Sequence, residues 1–262
     1  MSGRSPVTEG DVRWQAAARL LVSRRLSGEA GPRLPESCRP VDLEDALAIQ
    51  AEVTAQLKQP IGAWKCGTPA PGRVVLAPIY ANTIHTASPC AVWGRAGQVR
   101  VEPELAFILG RDLPVREQPY TPDEIDGAIA RTHLALELLD SRYSPDASPS
   151  FEEKLADGLV NQGLFIGPAL DAAHASGPGS IAITVAVQGS APQHYEGRHP
   201  DGDPRAPLYW LVNFLRSRGQ GLWAGQAVIT GSYAGALTLS LTSDASIEYG
   251  GFGAVSVRFL AK

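Results

Sequence analysis

From residue 71 onward the sequence is cut into short β-branched runs separated by glycine and proline. The runs are RVVLAPIYA, CAVWGRAGQVRVEPELAFIL, LFIGPAL, IAITVAVQGS, QAVITGSY, ALTLSLT and GAVSVRFLA. β-Branched side chains suit a pleated surface, and Gly and Pro close the turns between strands. A chain punctuated in this way, with 27 Gly and 21 Pro, is confined to a largely antiparallel or mixed β-core.

The first 70 residues read differently. EGDVRWQAAARLLVSRRLS, residues 9–27, puts Val12, Ala16, Leu20 and Leu21 at helical spacing, with Arg24 and Arg25 suited to a C-terminal end. VDLEDALAIQAEVTAQLKQ predicts a second helix. Asp42 is its cap, and Leu43, Leu47, Gln50, Val53 and Leu57 form its stripe. The expected organisation is an α+β chain with an N-terminal helical subdomain, 1–70, and a β-rich core, 71–262. Further helices are expected near TPDEIDGAIARTHL, SFEEKLADGLV and APLYWLVNFLRSRG. In the last of these, Leu208, Leu211, Val212 and Leu215 share a face, and Gly219 and Gly221 end it.

Composition narrows the functional classes. At 44% hydrophobic and 19% charged, the chain has the balance of a folded domain. A net charge of −4 argues against a nucleic-acid or anionic-membrane partner. No apolar run reaches membrane-spanning length, and MSGRSPVTEGDVRW lacks the apolar core of a secretory signal. Cys38, Cys66 and Cys90 are odd in number and contain no CxxC pair, so neither a disulfide framework nor a zinc site is expected. A cytoplasmic location is the simplest expectation.

Chemistry is suggested by charges in apolar surroundings. In QVRVEPELAFILGRDLP, strand alternation puts Glu102 and Glu104 on one face, about 7 Å apart. Pro103 between them cannot donate to a ladder. One reading is a strand with a solvated face; the other is an oxygen-rich site for a hard divalent cation. Glu137 in THLALELLDSR is flanked by leucines, and a buried carboxylate needs a partner. Asp140 and Arg142 just after it are placed to pair with each other. Lys65 in IGAWKCGTP lies in what reads as an apolar turn. It is either a snorkelling lysine on Trp64 or a cation that holds a carboxylate. A metal beside an ammonium suits a 2-keto acid, whose enolate the pair would stabilise. The five histidines lack metal-ligand spacing, and His199 reads as a surface residue beside Gly197 and Pro200. His133 is placed to share a face with Glu137. No GxSxG elbow or phosphate loop is present.

In their order, ALAIQAE, WKCG, RVEPELAF, LALELLDSR and AGQAVITGSY…GFGAVSVRF resemble the 2-keto-4-pentenoate hydratases and 2-oxo-3-hexenedioate decarboxylases of the fumarylacetoacetate-hydrolase superfamily. The resemblance runs from about residue 12 to the C-terminus. It implies the superfamily's mixed β-roll core with an N-terminal helical part. It implies Mg²⁺ or Mn²⁺ held by Glu102, Glu104 and Glu137, with Lys65 as the active-site lysine. Thr230 and Ser232 in ITGS would lie near a small 2-keto acid substrate. Homo-oligomers and a role in aromatic-ring catabolism are implied as well.

Two stretches depart from the family pattern. Ile79 stands where an acidic PDFG-like segment places an aspartate. ADGLVNQG replaces an ADNAS-like segment, retaining Asp157 but bringing in Gly158, Leu159 and Val160. Hydration of a dienol needs several placed acid–base groups, whereas decarboxylation mainly needs an electron sink. The expected activity is therefore a metal-dependent lyase, foremost a 2-hydroxy-2,4-dienoate hydratase. A 2-oxo acid decarboxylase, an acylpyruvate C–C hydrolase, a redirected biosynthetic member and a non-catalytic member are the alternatives. SPDASPSFEEK, rich in Ser and Pro soon after Glu137, is a lid candidate.

Overall fold

The computed structural model describes residues 9–262, so the first eight residues of the stretch read for a secretory signal lie outside it. The chain divides into two compact units. The first consists of the described residues up to Gln59 together with Ser141–Val160; the second of Pro60–Asp140 and Asn161–Lys262.

The first unit contains helices α1 (Glu9–Ser27) and α2 (Leu43–Leu57). Asp42 caps α2, accepting from the Asp45 amide at 2.9 Å, and Leu47, Gln50 and Val53 are buried as expected. The buried face of α1 is offset from the expected stripe. Ala17, Ala18 and Leu21 are fully buried, whereas Val12 and Leu20 are exposed. A short helix (Phe151–Ala156) from the inserted segment packs on α2, and the Gln50 amide donates to the Leu155 carbonyl at 2.9 Å. Arg142 pairs with Asp157 rather than with Asp140. Its Nε lies 2.7 Å and 2.8 Å from the two carboxylate oxygens, and both side chains are almost fully buried. Asp140, in the second unit, pairs with Arg95 instead.

The second unit carries thirteen strands. Its first six are β1 (Ile61–Ala70), β2 (Arg73–Tyr80), β3 (Ile84–His85), β4 (Cys90–Val92), β5 (Gln98–Leu109) and β6 (Ile129–Leu139). The rest are β7 (Asn161–Ala169), β8 (Ser180–Val187), β9 (Gln193–Arg198), β10 (Ala227–Ile229), β11 (Leu237–Ser240), β12 (Asp244–Tyr249) and β13 (Ala254–Ala261). They form an eight-stranded sheet in the order β2-β1-β10-β5-β6-β7-β3, with β11 added beside β5, and a five-stranded sheet in the order β4-β13-β12-β8-β9. Pairing is mostly antiparallel, with parallel contacts between β1 and β10, β3 and β7, and β13 and β4. The expected α+β class with a mixed β-core is what the chain adopts.

Three expectations change. The lysine turn is a ten-residue strand, β1. The helix expected through TPDEIDGAIARTHL is one turn, Pro122–Asp126, after which Ile129 begins β6. The expected loop EGRHPDGDPRAP starts inside β9. The helix at Ala206–Ser217 forms as read, with Leu208, Leu211, Val212 and Leu215 buried.

Both faces of the large sheet are covered. One face contributes Val99, Val101, Leu105, Leu134, Leu136, Leu138 and Phe165 to the core shared with the five-stranded sheet. The other carries a tighter cluster: Ala63, Ile79, Ala106, Ala135, Leu164, Ala227 and Ile229. Small side chains dominate this second cluster. Ile79, where the resemblance expects an acid, pairs with Ala63 across β1 and β2 and is completely buried.

Candidate metal centre

The glutamates share their strand face with the second cluster. Ala106 follows Glu104 by two residues on β5, Ala135 precedes Glu137 by two on β6, and Ala63 precedes Lys65 by two on β1. The register of β5 and β6 sets Glu102 directly opposite Glu137 and Glu104 opposite Ala135. Like charges facing each other across a ladder are destabilising. Here a third carboxylate joins them: oxygens of Glu102, Glu104 and Glu137 lie within 4.8 Å of one another. Glu104 is 3% exposed and Glu137 fully buried, while Glu102 is half-buried.

Two of the three carboxylates are held from other elements. Lys65 Nζ on β1 lies 2.6 Å from Glu137 Oε1. Asn161 Nδ2, at the start of β7, donates to the same oxygen at 2.8 Å. The Gly231 amide, just past β10, donates to Glu104 Oε2 at 2.7 Å. Gly231 has a φ of +145°, and a Cβ there would stand 2.8 Å from Pro200 Cγ, so glycine is required for this approach.

The electrostatics are those of an unbalanced site. Burial raises the Glu104 carboxyl well above its ordinary range, and the charges of Glu137 and Glu102 add to this. Glu102 is raised for the same two reasons, burial first and then Glu137. Burial by itself would lower Lys65, but Glu137, Glu104 and Glu102 together outweigh it and keep its ammonium charged. Fully ionised, the three carboxylates exceed the ammonium of Lys65 by two negative charges, the charge of one divalent cation. Glu137 Oε2 is buried and receives no hydrogen bond. Orphaned, buried carboxylate oxygen is costly in a protein interior, and all-oxygen ligation is the donor set of Mg²⁺, Mn²⁺ and Ca²⁺. The residues present therefore fit a hard cation.

The remaining candidates have other partners. Thr230 is buried, and its hydroxyl lies 3.3 Å from His199 Nε2. His199 is a buried residue, 4% exposed, and not the surface histidine its neighbours suggest. The Asp201 amide donates to its Nδ1 at 3.2 Å, so the neutral ring carries its proton on Nε2 and donates to Thr230. Burial lowers the His199 pKa, which favours that neutral ring. Ser232 faces backbone carbonyls, 3.3 Å from Pro103 and 3.1 Å from Gly235. His133 bonds the Gly167 carbonyl through Nδ1 at 2.8 Å. Asn161, His199 and Gly231 were not singled out as candidates by the sequence reading.

The family described as fumarylacetoacetate (FAA) hydrolase C-terminal matches residues 51–259. A 2-keto-4-pentenoate hydratase of Paraburkholderia phymatum is 24% identical over 261 residues, covering 95% of this chain and 98% of that protein. 2-keto-4-pentenoate hydratase 3 of Pseudomonas putida is 25% identical over 62% of this chain and 59% of its own length. Among solved structures, 4-oxalocrotonate decarboxylase from Pseudomonas putida G7, complexed with magnesium and adipate, aligns with a TM-score of 0.76 and 17% identity, covering 98% of this chain and 100% of that one. The same enzyme complexed with calcium and acetate aligns with a TM-score of 0.73 and 16% identity, over 98% of this chain and 100% of that one. At such identity the likeness is one of fold.

Proposed function

This chain belongs to the fumarylacetoacetate hydrolase family, and we propose that it is a divalent-metal-dependent lyase acting on a 2-keto acid or its dienol, foremost as a hydratase of a 2-hydroxy-2,4-dienoate. The observation that carries this reading is the glutamate triad, with its two uncompensated charges and its orphaned Glu137 oxygen. The hydratase names among its relatives and the decarboxylase fold support the same class.

Glu102, Glu104 and Glu137 would hold Mg²⁺ or Mn²⁺. When bound, such a cation supplies the positive charge that a 2-keto carboxylate and a developing enolate oxygen require. The protein's own part is orientation and proton handling. Gly231 and Asn161 restrain two of the carboxylates from outside. Lys65 is a mostly buried ammonium beside Glu137, suited to steady an oxyanion or the substrate carboxylate. Thr230, accepting from His199, has its own hydroxyl proton left to donate. No further carboxyl is supplied by Ile79, which is locked into the apolar cluster. That observation favours decarboxylation as the second reading, because it makes less demand on placed acid–base groups. A homo-oligomeric state, a cytoplasmic location and a role in aromatic-ring catabolism complete the proposal. No described helix is long and apolar enough to cross a membrane.

The test is turnover of 2-hydroxypenta-2,4-dienoate and 2-oxo-3-hexenedioate followed by ultraviolet absorbance, with Mg²⁺, with Mn²⁺ and after EDTA. Loss of absorbance that stops on EDTA treatment and returns with either metal is expected, and the substrate consumed separates hydration from decarboxylation. Metal-loaded protein inert toward both would overturn the reading.

A further inference from the structure

The two oxygens of Glu137 are treated unequally. Oε1 receives both Lys65 and Asn161, at 2.6 Å and 2.8 Å, while Oε2 receives neither. Asn161 is 2% exposed, and its Nδ2 also donates to the Gly163 carbonyl at 3.2 Å. Two acceptors on one nitrogen settle which end of the amide faces Glu137. The backbone just before β3 leaves no slack either, because a Cβ on Gly163 would lie 2.4 Å from the Thr83 carbonyl oxygen. The backbone entering β7 is unusual. Gly158, Leu159 and Val160 have φ of +80°, +52° and +62° in succession, a conformation that a β-branched residue rarely takes. Such strain persists where the surrounding structure demands it, and it concentrates at functional positions. The next residue is Asn161.

We propose that Asn161 is a positioning residue that makes Glu137 a one-oxygen ligand: with Lys65 it occupies Oε1 and presents Oε2 alone to the cation. The inference rests on the metal reading above and deepens it. One oxygen per carboxylate suits the small octahedral shell of Mg²⁺, whereas a carboxylate free to use both oxygens suits the larger shell of Ca²⁺. Asn161 thereby sets a preference for the smaller ion.

The experiment is calorimetric titration of Mg²⁺ and of Ca²⁺ into the EDTA-stripped full chain, as wild type, as N161A and as N161L. The leucine variant keeps the volume and removes the donor, so it covers the case in which the cavity left by alanine impairs folding. Mg²⁺ affinity is expected to fall by about 10- to 100-fold and Ca²⁺ affinity by less than about threefold, the scale on which partners of metal ligands act. Equal losses for the two ions would mean that Asn161 is merely structural, and unchanged affinities would mean that it does nothing to the site; either overturns the inference while leaving the metal reading intact. Wild-type protein that binds neither ion overturns both.

Discussion

Glu104 shows what one residue is kept for. Its carboxyl is buried and pushed well above the ordinary range by burial and by Glu137 and Glu102. In the metal-free protein that charge opposes folding. Glu104→Gln preserves the volume and an acceptor for the Gly231 amide while removing the charge. The metal-free variant is expected to melt higher than wild type, by about 2–4 °C per kcal/mol of relieved repulsion. It should also lose the rise in melting temperature that Mg²⁺ produces in wild type. Thermal melts of both proteins with and without Mg²⁺ check this; a variant that melts lower without metal would refute it. Glu102, Glu104 and Glu137 stood out in the sequence because a carboxylate in an apolar run has to be explained. Asn161 and His199 did not. An asparagine in ADGLVNQG and a histidine beside Pro200 have ordinary neighbours, and only the folded chain shows that both are buried beside their acceptors.

At the scale of elements, the first part of β6, IARTHL, is strand where a helix was expected, for a physical reason. IARTHLALELL is rich in Leu, Ala and Glu, which favour helix in isolation. It is a strand because it lies between β5 and β7 and is buried on both faces from Leu134 onward, so pairing overrides propensity. The helix Phe151–Ala156 is the opposite case, with its local signal intact. Ser150 and Glu153 form a capping box, and Glu153 also binds Arg33 at 2.6 Å and the Leu34 amide at 3.1 Å. The lid candidate SPDASPSFEEK is therefore anchored within the first unit through Glu153. Burial alone would raise this carboxyl, but the hydrogen bonds from Arg33, Ser150 and Leu34 outweigh it and hold it below the ordinary range. A depressed carboxyl contributes stability in full above its unfolded value, near pH 4.3, and loses it as pH falls through the folded value. Glu153→Gln is thus expected to cost about 2 kcal/mol at pH 7 and progressively less below about pH 4. Urea unfolding at pH 7 and pH 3.5 measures the two differences; an equal cost at both would refute the assignment.

For the whole molecule, the prediction concerns charge. A site with two uncompensated negative charges gains more from a cation than from any rearrangement of side chains. Saturating Mg²⁺ is expected to stabilise the chain by about 2.7 kcal/mol at a hundred times its dissociation constant. EDTA should reverse the effect, and monovalent salt at equal ionic strength should not reproduce it. Thermal melts across a Mg²⁺ series read this directly. The sequence by itself determined the class of the fold, because alternating β-runs, turn residues and two amphipathic helices are local patterns with local causes. It also marked the three carboxylates and the lysine as charges in apolar surroundings, and the family resemblance grouped them into one expected site. Tertiary structure decided the rest. It alone brought β1, β5 and β6 into one register face so that residues 72 positions apart, Lys65 and Glu137, form one ion pair. It alone turned Asn161 and Gly231 into partners of those carboxylates and buried His199 against Thr230. A hydrogen bond depends on distance and direction, which strand pairing sets and neighbours in sequence do not.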